Sequence, residues 1–170
     1  GFYNVAIGYL ALDANQTAQR NIAIGAGSLG VLNTSGERNN IGIGFDAGAT
    51  IQGGTQNVSV GNQSYDQNAE GIKNTTIGTS AAGGSSSHSY TVVIGTGAFR
   101  AAATSDADGT VAIGVDAAMS ITSGIANVAI GYQALDAEDD GDWNTAVGYQ
   151  ALTAQTGTSG AVYNTAIGSQ

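Results

Sequence analysis

The sequence predicts an all-β chain: a parallel β-solenoid, or β-roll, of about ten 17-residue coils in a single repeat array over residues 1–170. Three observations carry that expectation. A short motif recurs ten times. Its spacing is too short for a helical repeat. Large side chains are too scarce to fill a thick core.

The motif is Asn-x-x-[Ile/Val]-Gly, with Thr replacing Asn in two copies. It occurs as Asn4-Val-Ala-Ile-Gly8, Asn21-Ile-Ala-Ile-Gly25, Asn40-Ile-Gly-Ile-Gly44, Asn57-Val-Ser-Val-Gly61 and Asn74-Thr-Thr-Ile-Gly78. It continues as Thr91-Val-Val-Ile-Gly95, Thr110-Val-Ala-Ile-Gly114, Asn127-Val-Ala-Ile-Gly131, Asn144-Thr-Ala-Val-Gly148 and Asn164-Thr-Ala-Ile-Gly168. The steps between glycines are 17, 19, 17, 17, 17, 19, 17, 17 and 20. The base period is therefore 17, with insertions near 32–39, 100–109 and 153–163. Helix pairs and propeller blades need longer repeats. Seventeen residues fit one coil of two short strands and two turns, hydrogen-bonded to coils about 4.8 Å above and below. Ten such coils make a rod roughly 45 Å long. A single coil cannot bury its own apolar surface, so stacking supplies the stability.

Composition agrees with a thin, regular object. The chain has 27 Gly, no Pro, no Cys and 10% charged residues. Without a repeat, such a mixture would suggest disorder. A hydrophobic fraction of 42%, much of it Ala, argues against that. The net charge of −9 disfavours nucleic acid, which needs a basic footprint, and docking on an anionic membrane. No apolar run approaches the roughly 20 residues that span a bilayer, and no signal-peptide pattern opens the chain. The absence of Cys excludes disulfides and thiol chemistry.

Each part of the motif has a physical reading. In Asn4-Val5-Ala6-Ile7-Gly8 the side chains alternate between two faces. Val5 and Ile7 share one face; Ala6 and Gly8 share the other. Down the array the first face is β-branched and the second mostly small, and neither is charged. A strand with no polar face is usually buried on both sides. One side can be the coil interior, and the other calls for a partner, most economically another copy of the chain. Which face points inward is left open by the pattern. The recurring Asn suits turn conformations and can build a hydrogen-bonded ladder. The recurring Gly marks a corner of unusual backbone geometry or close packing. Three residues after each Gly stands a small residue, from Ala11 and Ser28 to Ala134 and Ala151. The next position is often large, as at Leu12, Leu29, Tyr65, Phe99, Leu135 and Leu152.

Candidates for chemistry are few. The only histidine, His88, falls in Gly83-Gly-Ser-Ser-Ser-His88-Ser and reads as a solvated loop residue. No Gly-x-Ser-x-Gly elbow accompanies it, so no triad is expected. Acidic residues cluster at Asp106-Ala-Asp108-Gly109 and over Asp136–Asp142. Both read as solvated turns, because a charge run is usually a solvated face. The sharper alternative is weak Ca²⁺ binding by the 136–142 turn, which calorimetry can test. No catalytic residue, cofactor or metal ligand set is assigned. Tyr9, Phe45, Tyr132 and Tyr149 follow the corner glycines. Tyr132 and Tyr149 lie in adjacent coils and should stack, which stabilises a solenoid edge. The alternative is a flat aromatic strip for sugar rings. The insertions are the natural place for recognition, since loops carry variable function.

The Asn-Val-Ala-Ile-Gly repeat resembles the head repeats of trimeric autotransporter adhesins of the YadA type. The fuller units Asn127-Val-Ala-Ile-Gly-Tyr-Gln-Ala-Leu135 and Asn144-Thr-Ala-Val-Gly-Tyr-Gln-Ala-Leu152 look more like repeats of phage tail-fibre proteins. The resemblance covers essentially the whole chain, although the adhesin repeat is usually shorter than 17 residues. It implies a homotrimer of parallel β-rolls, left-handed in the adhesins, on a virion or cell surface. The expected role is a structural and adhesive fibre segment contributing to attachment, with a cell-surface glycan or protein as receptor. The alternative is the head of a bacterial adhesin. A polysaccharide-degrading β-helix would instead cluster carboxylates on one solenoid face, whereas the acids here fall mostly in turns. An ice- or mineral-binding face would need a regular Thr array, and Thr75, Thr76, Thr145 and Thr165 are too irregular. The chain runs from Gly1-Phe-Tyr-Asn4 to Gly168-Ser-Gln170, mid-motif at both ends. Solenoids need capping units, so a longer fibrous protein is expected.

Overall fold

A computed structural model describes residues 1–84, 87–101, 107–154 and 160–170. In chain order the strands are β1 Val5–Ile7, β2 Ala18–Gln19, β3 Ile22–Ile24, β4 Gly36–Glu37, β5 Ile41–Ile43, β6 Val58–Val60 and β7 Thr75–Ile77. They continue as β8 Val92–Ile94, β9 Val111–Ile113, β10 Val128–Ile130, β11 Gly141–Asp142, β12 Thr145–Val147, β13 Gly160–Ala161 and β14 Thr165–Ile167. No α-helix occurs among the described residues.

Ten of these strands, one from each motif copy, form a single sheet in the order β1-β3-β5-β6-β7-β8-β9-β10-β12-β14. Every neighbouring pair is parallel and in register on the motif, as in Ala6↔Ala23 and Ala129↔Ala146. The chain is therefore a parallel β-solenoid in which one coil separates consecutive strands.

The expectation of two strands per coil is corrected. The second apolar segment of each coil is a run of tight turns. In the first coil, Ala11 N donates to Gly8 O and Asp13 N to Leu10 O, each at 3.3 Å. Leu10 and Leu12 both take positive φ, at 55° and 52°. That alternation bends the backbone where a strand would run straight. Coil-to-coil hydrogen bonding survives there through one rung per turn. Leu12 N donates to Ser28 O at 3.0 Å and Leu135 N to Ala151 O at 2.9 Å. Outside the main sheet, among the described residues, only the two-residue pairs β2–β4 and β11–β13 are strands.

The inward face is the small one. Ala23, Ser59, Thr76, Val93, Ala112, Ala129 and Ala146, the middle residues of their strands, are buried. The opposing wall carries the small residue after each corner: Ser28 Oγ donates to Gly42 O at 2.9 Å, across a thin coil. A Cβ on Gly42 would lie 2.5 Å from that hydroxyl. Such close walls leave space for large side chains only at one end of the coil. There, residues four and seven beyond the corner glycine fill the coil, both large at Leu29 and Leu32 but unequal in three other coils. Small Gly48 and Ala118 are matched by Ile51 and Ile121, while large Tyr65 is matched by Asn68. A Cβ on Gly48 would meet Ile51 Cδ1 and Leu29 Cδ2, each at 2.9 Å.

The motif Asn residues turn their side chains into the coil and bond upward along the stack. Asn4 Oδ1 accepts from Asn21 N at 2.9 Å, Asn40 Oδ1 from Asn57 N at 2.9 Å, and Asn57 Oδ1 from Asn74 N at 3.0 Å. The Nδ2 groups of Asn4, Asn40, Asn57, Asn74 and Asn127 then reach a carbonyl 14 residues on, as Asn40 does to Gly54 and Asn57 to Gly71. The column runs from Asn4 to Thr91 and again from Asn127 to Asn164. Thr110 lies between, and its Oγ1 has no partner. A side-chain amide offers an acceptor and two donors, which a hydroxyl of that length does not. Asn57→Ala should therefore destabilise the fold by roughly 3 kcal/mol, because it strands a buried N–H and a buried carbonyl. Urea unfolding at fixed chain concentration measures this.

Candidate functional site

The outward sheet face is the feature that the fold presents to a partner. It consists of the β-branched residues on either side of each buried middle residue. One column is Val5, Ile22, Ile41, Val58, Thr75, Val92, Val111, Val128, Thr145 and Thr165; a second, led by Ile7 and Ile24, ends at Ile167. Stacking on neighbouring coils half-covers most of them. Val5, Ile7, Ile43, Ile77, Ile130 and Ile167 are exposed. No charged residue stands in either column.

Aromatic residues border this face on both sides. On the corner side stand Tyr9, Phe45, Tyr132 and Tyr149, all exposed. The rings of Tyr132 and Tyr149 stack with centroids 5.4 Å apart and planes at 10°. Their neighbours Gln133 and Gln150 join through Nε2–H···Oε1 at 2.9 Å. On the opposite side, the residue preceding the first motif position supplies Tyr3, Tyr90, Trp143 and Tyr163 in four copies, again exposed. Trp143 and Tyr163 stack at 5.0 Å and 7°, and Lys73 Nζ lies 5.5 Å from the Tyr90 ring centroid. This second border was missed in the sequence. The signal lay in the residue before each Asn, which reads as variable until the copies are aligned on Asn.

The corner glycines set how closely coils approach. Gly8, Gly25, Gly44, Gly61, Gly78, Gly95, Gly114, Gly131, Gly148 and Gly168 hold φ between 125° and 139°. A Cβ on Gly114 would lie 2.3 Å from Gly131 O, and one on Gly131 would lie 2.2 Å from Gly148 O.

His88 is corrected from a solvated residue to a core residue. It is fully buried, edge-on between Tyr65 and Phe99 at centroid distances of 5.4 and 5.0 Å. Burial pushes its pKa down to about 3. Asn68 Nδ2 approaches its Nδ1 at 3.4 Å, and its Nε2 has no partner. The ring occupies the coil beside Ala82, where the residue beyond the corner leaves space. Nothing about the local sequence Ser-Ser-Ser-His88-Ser marks that role.

The acidic turns divide. Asp106 lies outside the described residues, as do Ser85 and Ser86 beside His88 and parts of the insertions at 100–109 and 153–163. Asp108 accepts from Ser89 N at 2.6 Å, and Asp142 from Ile125 N at 2.9 Å, so both serve as turn acceptors. Asp66 and Asp136 have raised pKa values, first from burial and then from Asp46 and Asp116 in the preceding coils. Glu138 is fully buried, which corrects the reading of 136–142 as a solvated turn. Its position, seven beyond the corner, is one that Leu32, Ile51 and Ile121 fill elsewhere.

A shallow polar groove runs beside the Gly83 turn, lined by Gln63, Asp66, Gln67, Ser80 and Arg100. Among the described residues no helix is long and apolar enough to cross a membrane. The fold and surface define a single-chain parallel β-solenoid with an uncharged apolar face bordered by aromatic rings. The chain matches no protein-family model, no curated protein and no solved structure.

Proposed function

We propose that this chain is a structural and adhesive segment of a trimeric surface fibre, a phage tail fibre or similar virion or cell-surface appendage that contributes to attachment. The observation that carries this reading is the outward face of Val, Ile and a few Thr along the whole sheet, mostly apolar and without charge in a chain of net charge −9. A contiguous exposed apolar strip of this kind marks an association surface. Identical coils in identical register give identical surfaces every coil. Copies lying side by side can thus cover the strip along its full length, as a fibre requires. The resemblance of the Gly-Tyr-Gln-Ala-Leu units to tail-fibre repeats supports the fibre reading. The stacked Tyr132–Tyr149 and Gln133–Gln150 pairs use those repeated residues for stacking coils.

The proposed role is non-catalytic and extracellular. His88 is walled in by aromatic rings, and Asp108 and Asp142 are engaged as turn acceptors. Incubation with host surface glycans should release no new reducing ends; their appearance would favour a polysaccharide-degrading enzyme. The association surface is tested by charge. Ile77→Lys with Ile94→Lys places two ammonium groups per chain in the strip. Assembly should fall by at least a hundredfold in affinity, since a buried unpaired charge costs several kcal/mol. Circular dichroism should report an intact solenoid, because both side chains point away from the coil interior. Unchanged assembly of the double variant would refute this surface. Labelled protein that binds no cell or glycan across a host panel would confine the segment to a spacer role.

A further inference from the structure

We propose that the turn Glu138-Asp139-Asp140 is a binding site for a hard divalent cation, Ca²⁺, independent of the fibre reading. Carboxylate oxygens of the three residues lie within 4.8 Å of one another. Oxygen ligands sit 2.3–2.6 Å from Ca²⁺, so two ligands of one ion are at most about 5 Å apart. The grouping is therefore of a size that a single ion can bridge.

A cluster of acids alone would not argue for an ion; the buried member does. Among the described residues, the position of Glu138 does one of two jobs in the other coils. Leu32, Ile51 and Ile121 fill volume there. Asn15 and Asn68 cap the turn: Asn15 Oδ1 accepts from Ala18 N at 2.8 Å and Asn68 Oδ1 from Gly71 N at 2.7 Å. Glu138 performs the second job with one oxygen. Its Oε1 accepts from Gly141 N at 2.8 Å and from Asp139 N at 3.2 Å. The other oxygen, Oε2, is buried and has no partner. Asp140 Oδ1 is likewise enclosed without a partner. An amide would cap this turn without bringing a charge into the coil. A carboxylate with one oxygen unmet is costly there unless a cation meets it.

The chemistry selects the ion class. All three ligands are carboxylates, which suit Ca²⁺ and not the softer metals that favour His or Cys. Three residues leave several coordination positions to water, so affinity in the range of extracellular Ca²⁺ modules, roughly 10⁻⁴–10⁻³ M, is expected. Neighbouring Asp142 lies outside this group, and its Oδ1 accepts from Ile125 N. The turn is also tied to the preceding coil, since Asp139 O accepts from Thr122 N at 2.8 Å and Ser123 N at 3.1 Å. Loading should therefore stabilise the stacking of the two coils.

The test is calorimetry and thermal unfolding of the whole chain, metal-free and then with CaCl₂ or MgCl₂. The wild type should show saturable heat with Ca²⁺ and a rise in Tm, with a smaller response to Mg²⁺. Glu138→Gln should raise the metal-free Tm, by removing the buried charge, and weaken Ca²⁺ binding at least tenfold. Asp140→Asn, at a partly exposed residue, should fold normally and also weaken binding tenfold. Asp13→Asn, in the first coil, should leave binding unchanged. Absence of Ca²⁺ heat in the wild type would overturn the proposal. So would a Ca²⁺ response that survives both Glu138→Gln and Asp140→Asn.

Discussion

Gly114→Ala is expected to destabilise the solenoid by roughly 4 kcal/mol, combining backbone strain with overpacking. Gly114 holds φ at 137°, a region essentially restricted to glycine. The added Cβ would lie 2.3 Å from Gly131 O and 2.6 Å from Gly131 C. Both are backbone atoms of the next coil, so no side-chain rotation relieves the contact. The coils would have to separate, and every rung of the sheet at that level would lengthen. Gly36 provides the control. Its φ is 99°, yet nothing lies within 4 Å of its Cβ position. Gly36→Ala should cost about 1 kcal/mol, from backbone strain alone. Urea unfolding of both variants at equal chain concentration separates strain from contact. Equal losses at the two sites would contradict the close-approach argument.

The second large effect is pH-dependent loss of stability through His88. Its folded pKa is about 3, against 6.5 for an ordinary histidine. Above pH 6.5 the ring is neutral in both states and costs nothing. Below that, the unfolded chain takes up a proton that the folded chain refuses, so stability falls as pH falls. The loss continues until about pH 3, where the folded state also protonates. At about 1.4 kcal/mol per pH unit, the full effect is on the order of 5 kcal/mol. Asp66 and Asp136 act in the opposite sense. Their raised folded pKa values let the folded state bind protons first, so acid relieves their repulsion as pH approaches the ordinary carboxylate value. The clean readout is therefore a difference. His88→Phe keeps a ring between Tyr65 and Phe99 and removes the titration. The stability gap between wild type and His88→Phe should shift by several kcal/mol, on the order of 4, between pH 7.5 and pH 3.5, in favour of the variant. A gap that stays constant with pH would show that His88 is not held neutral by burial.

These effects also show what was legible in the sequence. All ten long strands lie within the ten motif copies, because alternation and the 17-residue step impose both strand position and register. The corner glycines and the Asn column follow from backbone requirements that only those residues meet. The direction of the strand faces was not legible. Both faces are apolar, and the deciding factor is the thinness of the coil, which admits Ala and Ser but not Ile between its walls. The second strand of each coil was misread because Ala11-Leu12 has the apolarity of a strand. Its positive φ values at Leu10 and Leu12 have no glycine to announce them. His88 and Glu138 were misread for a related reason. Each sits in a polar stretch, and burial there depends on residues one coil away. His88 fills a gap beside Ala82, and Glu138 stands where other coils place Ile or Leu.

The outward apolar strip joins the fold to the proposed function, and its consequence is an oligomer. Sedimentation equilibrium of the intact chain measures this most directly. A folded species of three times the 16.8 kDa chain mass is expected for the wild type, with no detectable monomer at micromolar concentration. A folded, thermally stable monomer of 16.8 kDa, soluble with its Val and Ile columns exposed, would contradict the account.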